Sequence, residues 1–203
     1  MINNNLLSQH GELYLLPNFL NTKDADAAYE WLLQNIKWKQ YHIKMFGKLL
    51  AQPRLTAWYG SAGTNYSYSG LNLVPETFSK ELLTLKARIE QVGSTQFNSV
   101  LLNLYRNEND SMGWHADDEK ELGINPIIAS LSLGQTRKFQ VKHKFIKNLN
   151  LNLLLTHGSL LLMKGEMQHY WQHAIPKSKN SCDQRINLTF RNILENRLIK
   201  GLS

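Results

Sequence analysis

The sequence predicts an α+β fold, mainly β, with helices first and an antiparallel sandwich or barrel after them. Three observations predict it. Two segments before residue 94 carry the helical period. Five short apolar-rich segments with turn residues between them follow. No Pro/Gly/Ser-rich linker divides the two regions, so the expectation is one domain over 1–203.

The first helix is expected within "NTKDADAAYEWLLQNI". Thr22 offers an N-cap, Asp24 and Asp26 suit the positive end of the dipole, and Trp31, Leu32 and Ile36 fit one apolar face. The second is expected within "PETFSKELLTLKARIEQVG", with Pro75 at its start and Gly93 at its end. Phe78, Leu82, Leu85 and Ile89 form its core-facing stripe. The strand candidates are "FNSVLLNLY", "IIASLSLG", "KFQVKHKF", "GSLLLM" and "RINLTFR".

Composition narrows the function. A chain of 203 residues buries roughly 70% of its unfolded surface and needs no disulfide or structural metal for stability. The single cysteine, Cys182, forms no internal disulfide, which agrees with a reducing compartment. No apolar run reaches the length of a membrane helix, and "MINNNLLSQHGE" lacks the pattern of a signal peptide. The net charge of +7 points to polyanionic partners, with nucleic acid ahead of membrane. In that basic chain, "GWHADDEKELG" concentrates acids beside a histidine. A solvated loop or a metal site would explain it.

In "RINLTFR", alternation puts Arg185, Asn187, Thr189 and Arg191 on one face and Ile186, Leu188 and Phe190 on the other. On a half-exposed strand the arginines would face water. If the apolar face packs under a helix, the polar face lines a cavity. Two guanidinium forks there would suit a dicarboxylate. Asn103 and Tyr105 likewise share a face and would complete a polar anion pocket. His115 and Asp117, two apart, point the same way on extended backbone. They describe part of a 2-His-1-carboxylate triad, which binds Fe(II) and leaves coordination positions open. The distant histidine is His169 or His173. On one helix the two could bind zinc, but the H-E-x-x-H glutamate is absent and "HAIPK" reads as extended, which favours His173.

Taken in order, N-x-Y (Asn103, Tyr105), H-x-D (His115, Asp117), S-x-S-x-G (Ser130 to Gly134), His173 and R-x-N-x-T-F-R (Arg185 to Arg191) resemble the AlkB family of Fe(II)- and 2-oxoglutarate-dependent nucleic-acid dealkylases. The resemblance covers roughly residues 40–192. It implies a double-stranded β-helix (jelly-roll) core over about 93–192, with a recognition lid of hairpin and helix over about 40–92. It places Fe(II) on His115, Asp117 and His173, and 2-oxoglutarate on Asn103, Tyr105, Arg185, Asn187 and Arg191. It further implies that dioxygen and 2-oxoglutarate become succinate and CO2 while an N-alkyl group is hydroxylated and leaves as formaldehyde. Asp118, followed by Glu119, would contact the lesion base.

"KMFGKLLAQPRLTAWYG" resembles the finger hairpin of the duplex-DNA branch, with Phe46 probing the stack, and "YSYSG" resembles the substrate lid, with Tyr68 stacking on a flipped base and Ser69 nearby. Lys138, Gln140, Lys142 and Lys144 alternate on one face as candidate phosphate contacts, or as the solvated face of an edge strand. The expected partner is alkylated DNA, double- or single-stranded, acted on by a monomer that is cytoplasmic if bacterial and nuclear if eukaryotic. Alternatives are an RNA demethylase of the same family, a zinc hydrolase using His169 and His173, and a binding module without the iron site.

Overall fold

The computed structural model describes residues 4–45, 47–61, 66–68, 71–73 and 75–194. Along the chain come β1 (Glu12–Leu16), α1 (Thr22–Asn35), β2 (His42–Met45), β3 (Lys48–Ala51), β4 (Leu55–Gly60), β5 (Tyr66–Tyr68), β6 (Leu71–Leu73) and α2 (Lys80–Gly93). Then follow β7 (Ser99–Tyr105), β8 (Met112–His115), β9 (Ile128–Gly134), β10 (Arg137–His143), β11 (Asn150–Leu155), β12 (Ser159–Lys164), α3 (Met167–Tyr170), β13 (Trp171–Ile175) and β14 (Arg185–Arg191).

Two antiparallel sheets face each other. The larger has the order β1-β12-β9-β14-β7-β4 and the smaller β11-β10-β13-β8. This is the double-stranded β-helix that the motif order implied. β1 and β4, from outside residues 93–192, extend the large sheet at its two ends. Two separate hairpins, β2–β3 and β5–β6, occupy the region expected for the finger and lid. Phe46 and Ser69 lie outside the described residues, as does the side chain of Tyr68.

The period-2 alternation of the large sheet explains its layering. Val100, Leu102 and Leu104 of β7, Leu131 and Leu133 of β9, and Ile186, Leu188 and Phe190 of β14 share one core with Leu32 of α1 and with Leu82, Leu85 and Ile89 of α2. Each such side chain, fully buried, stabilises the fold by about 1.5–3 kcal/mol. The opposite face, with Leu101, Tyr105, Leu161 and Met163, turns to the small sheet and meets Phe139, Val141, Trp171 and Ile175. All seven residues of β14 are buried, so the surface-strand reading of "RINLTFR" is wrong. β14 sits between β9 and β7, with its apolar face under the helices.

Two caps differ from expectation. Asn21, not Thr22, caps α1: its Oδ1 accepts from the Asp24 N–H at 2.9 Å, and Thr22 is already helical. α2 starts at Lys80, not Pro75, because the Ser79 Oγ accepts from the Leu82 N–H at 3.2 Å. Residues ahead of it are extended, and Glu76 bridges Tyr59 of β4. A side-chain cap fixes a helix start more firmly than the permissive φ of proline.

The glycine of S-x-S-x-G has a steric reason. Gly134 ends β9 at φ +83°, and a Cβ there would lie 2.5 Å from the Gln184 carbonyl oxygen and 2.7 Å from the Tyr29 ring. Gly134→Ala is expected to cost at least about 2 kcal/mol, which lowers the melting temperature by roughly 4–8 °C. Thermal denaturation of the variant checks this.

Candidate active site

The inner face of β14 is the floor of the site. Arg185, Asn187, Thr189 and Arg191 line a cavity together with Asn103 and Tyr105 of β7, Ser130 of β9, His115 of β8, Asp117 just beyond it, and His173 of β13. The antiparallel register sets this assembly. Arg185 is opposite Tyr105 and Asn187 is opposite Asn103. His173 is opposite His115.

His115, Asp117 and His173 each offer one ligand atom within 4.8 Å of the others. The histidine rings stand 4.2 Å apart, and His173 Nε2 is 3.9 Å from Asp117 Oδ2. His115 Nδ1 is 2.9 Å from the Gly113 carbonyl oxygen, which leaves Nε2 as the lone-pair nitrogen when Nδ1 carries the proton. The Asp117 N–H donates to Gln168 Oε1 at 3.0 Å, and Arg191 Nη2 donates to Asp117 Oδ1 at 2.8 Å. One carboxylate oxygen is thereby occupied and the other faces the histidines.

Charge states follow from the surroundings. Burial alone would raise the Asp117 pKa, but Arg191 and the two histidines outweigh it and hold the carboxyl at about 2. Burial, then His115, lowers His173 to about 3. Desolvation also pushes His115 down, against the pull of Asp117. At neutral pH the three groups are an anion and two neutral imidazoles, the protonation states that a divalent cation needs from its ligands.

Deeper in, Arg185 Nη2 donates to Ser132 Oγ at 2.9 Å, and the guanidinium carbon lies 5.1 Å from the Tyr105 ring centroid. Burial, chiefly, lowers the Arg185 pKa to about 10, so it stays a cation. Its Nε and Nη1 are buried and form no hydrogen bond of good geometry, and no described carboxylate lies within 4 Å of it. A fully buried cation with donors to spare calls for an anion from outside. Arg137 also lies near the Tyr105 ring, its guanidinium carbon 5.6 Å from the centroid, but it is held by the carbonyl oxygens of Asn107, Asp110 and Pro176, so it has a structural occupation.

The remaining candidates divide. Asn187 donates to Ser130 Oγ at 2.7 Å and to the Leu131 carbonyl, and accepts from Thr189 Oγ1 at 3.0 Å. It braces the cavity wall. Asn103 Oδ1 accepts from Arg54 Nε at 2.8 Å. Asp118 turns outward, 53% exposed in its side chain, and pairs with Lys144 at 3.3 Å. Glu119 is half-buried beside it, ahead of a 3-10 turn. His169 is not with the cluster: α3 ends at Tyr170 before His173 is reached, and His169 Nε2 bonds Asn125 Oδ1 at 2.9 Å. The zinc pair of His169 and His173 is therefore excluded. Sequence reasoning missed Arg54 and Gln168, both buried. Their only signal is polarity flanking a strand and a helical turn.

Residues 12–191 match the sequence profile described as the 2OG-Fe(II) oxygenase superfamily. The chain belongs to this superfamily, in its AlkB family. It is 45% identical over 188 residues to the human protein named alpha-ketoglutarate-dependent dioxygenase alkB homolog 3, covering 88% of this chain and 65% of that protein. It is 36% identical over 181 residues to the mouse DNA oxidative demethylase ALKBH2, covering 84% and 76%. The match thus spans less than two thirds of alkB homolog 3. Among solved structures, one titled "The structure of OsALKBH1" superposes with a TM-score of 0.63 at 19% identity, covering 89% of this chain and 97% of that one, a likeness of fold.

The oxygenase family needs Fe(II), 2-oxoglutarate and dioxygen, and the site fits them. Two histidines and a carboxylate form the donor set of a facial triad. The orphaned Arg185 donors fit a dicarboxylate.

The site also makes the metal-free fold acid-sensitive. Asp117, depressed to about 2, contributes stability above the usual carboxylate range that is lost as pH falls through about 2. His173, depressed to about 3, stays neutral while the unfolded chain takes up a proton near pH 6.5, so stability also falls from there down to about pH 3. The melting temperature of the metal-free chain should drop over that window, and His173→Gln should flatten the drop. Thermal melts across pH in the presence of a chelator measure both.

Proposed function

We propose that this AlkB-family chain is an Fe(II)- and 2-oxoglutarate-dependent dioxygenase that dealkylates DNA bases such as 1-methyladenine and 3-methylcytosine, releasing formaldehyde, succinate and CO2. The observation that carries the reading is the buried Arg185, short of a counter-anion, beside the His115–Asp117–His173 cluster. The net charge of +7 and the printed name of the ALKBH2 relatives, DNA oxidative demethylase, support the substrate class. RNA carrying the same lesions is the second reading.

In this mechanism His115, Asp117 and His173 would hold the metal, and their charge states, one anion and two neutral imidazoles, already suit it. Arg191 occupies Oδ1 of Asp117, so Oδ2 is the oxygen that would be offered to the metal. Arg185, steadied by Ser132, takes the distal carboxylate of 2-oxoglutarate, with Tyr105 and Asn103 alongside. The bound iron and cosubstrate supply the oxidation of an unreactive C–H bond by dioxygen. Leu101, Met112, Phe139, Leu155 and Ile175 wall the cavity and limit water. Once the alkyl carbon carries a hydroxyl, that hydroxyl gives its proton to solvent as its C=O bond forms, the C–N bond breaks with its electron pair going to the base nitrogen, and formaldehyde leaves. Asp118 and Glu119, next to the metal ligand, would meet the exocyclic amine of the base. Phe46, Tyr68 and Ser69 belong to the proposed recognition lid over about 40–92 of a single 1–203 domain, acting as a monomer inside the cell. No described helix is long and apolar enough to cross a membrane.

Formaldehyde and succinate release on single-stranded DNA carrying 1-methyladenine, against matched RNA, tests the proposal. Alanine at His115, Asp117 or His173 should abolish turnover, and His169→Ala should leave it near wild type. Arg185→Lys should raise the 2-oxoglutarate requirement about 10- to 150-fold, because an ammonium cannot reproduce a guanidinium fork. Phe46→Ala should lower turnover on duplex DNA far more than on single strands, which need no wedge to hold a base out.

A further inference from the structure

β8 is an edge strand of the small sheet, and its two last residues point opposite ways. His115 faces the cavity, while Trp114 stands on the outer face, 42% exposed. Lys142, two strands away on β10, reaches across that face and places Nζ 4.3 Å from the Trp114 ring centroid. The same outward row of β10 holds Lys138, which is exposed. Lys138 lines a cleft with Lys177 and Lys179 from the segment after β13, and none of the residues lining that cleft is acidic. From Lys138 to Lys142 the strand advances about 13 Å, so the row of cations can follow a strand's backbone past more than one phosphate.

We propose that this outer face, Trp114 with Lys142, Lys138, Lys177 and Lys179, is a binding track for single-stranded DNA flanking the nucleotide in the active site. The inference rests on the DNA reading of the site and adds a second contact surface to it. An exposed tryptophan on an edge strand beside a cationic row matches the two needs of a single strand: an aromatic plane for a base and charges for its phosphates. Duplex DNA does not fit, because its base faces are covered by their neighbours. An acidic peptide would use the lysines but has no use for the indole face. The Lys142 ammonium now covering the ring is a weak cap. A base stacked on the indole outweighs an exposed cation–π contact, and the displaced ammonium gains a phosphate in exchange. Trp114 also lies one residue from His115, on the opposite face of the same edge strand, so only the sheet edge separates a strand lying on it from the site.

The test uses the full chain with Fe(II) and 2-oxoglutarate under anaerobic conditions, so that nothing turns over, and a labelled unalkylated 16-mer read by fluorescence anisotropy. Trp114→Ala should weaken single-stranded DNA binding about 5- to 100-fold, and Trp114→Phe should restore most of it. Lys142→Gln should reduce the slope of log K against log salt by about 0.7, one phosphate contact on a single strand. Duplex 16-mer affinity should hardly change in any variant. In aerobic turnover, a methylated trinucleotide too short to span the track should keep its kcat/KM in Trp114→Ala, while the 16-mer shows a raised KM. Circular dichroism melts confirm folding, and Lys142→Gln decides if Trp114→Ala unfolds. Wild-type affinity in Trp114→Ala and an unchanged salt slope in Lys142→Gln would overturn the track, as would a loss confined to RNA of the same sequence. Failure of the wild type to turn over any methylated strand would sink the activity reading alone, since the anisotropy arm needs no turnover.

Discussion

The buried ion pair between Arg191 and Asp117 is the constraint on which the site depends. Both side chains are nearly inaccessible, and the contact is 2.8 Å. Such a pair is a poor source of stability, since stripping water from two charges costs about as much as their attraction returns. Its use here is positional. It holds Asp117 ionised in a place where burial favours the neutral acid, and it leaves one carboxylate oxygen turned toward two imidazoles. Gln168 fixes the same residue from its backbone side. Two groups from distant parts of the chain therefore prepare one ligand.

β14 makes this possible. Because it is central in the large sheet, its outward side chains can be wholly apolar and its inward ones wholly polar. Most of the inward groups find side-chain partners: Asn187 on Ser130 of the neighbouring strand β9, Thr189 on Asn187 of its own strand, and Arg191 on Asp117 just beyond β8. Arg185 bonds Ser132 and lies against Tyr105, and keeps its buried Nε and Nη1 donors in reserve. The contrast separates groups that build the cavity from the group left to receive a ligand. The serines of S-x-S-x-G hold an amide and a guanidinium, and its glycine lets the chain turn where no Cβ fits beside Gln184.

Much of this is legible in the sequence because strands report their two faces directly. "RINLTFR" separates Ile186, Leu188 and Phe190 from the polar row, and H-x-D places His115 and Asp117 together. What one strand cannot report is whether its polar row meets water or another sheet. Only the helices covering the opposite face decided that. Helix starts were misplaced by one residue at Asn21 and by several at Ser79, because a cap depends on which side chain reaches a free N–H, and Thr22 and Pro75 are equally plausible in type. Arg54 and Gln168 were invisible for a different reason. Each reaches the site through a hydrogen bond to a partner far along the chain, Arg54 to Asn103 and Gln168 to Asp117, and no local pattern marks such a pairing. Trp114 is the converse case, adjacent to a ligand and facing away from it.

The central claim is that the cluster and Arg185 together receive a metal-chelating dicarboxylate. Calorimetric titration of the anaerobic Fe(II)-loaded chain with 2-oxoglutarate, set against a 2-oxo monocarboxylic acid of similar length, tests it most directly. The account predicts one site per chain, binding that requires the metal, and an affinity about 10- to 150-fold weaker for the acid without the distal carboxylate. Equal affinity for the two acids, or 2-oxoglutarate binding that is indifferent to the metal, would contradict it.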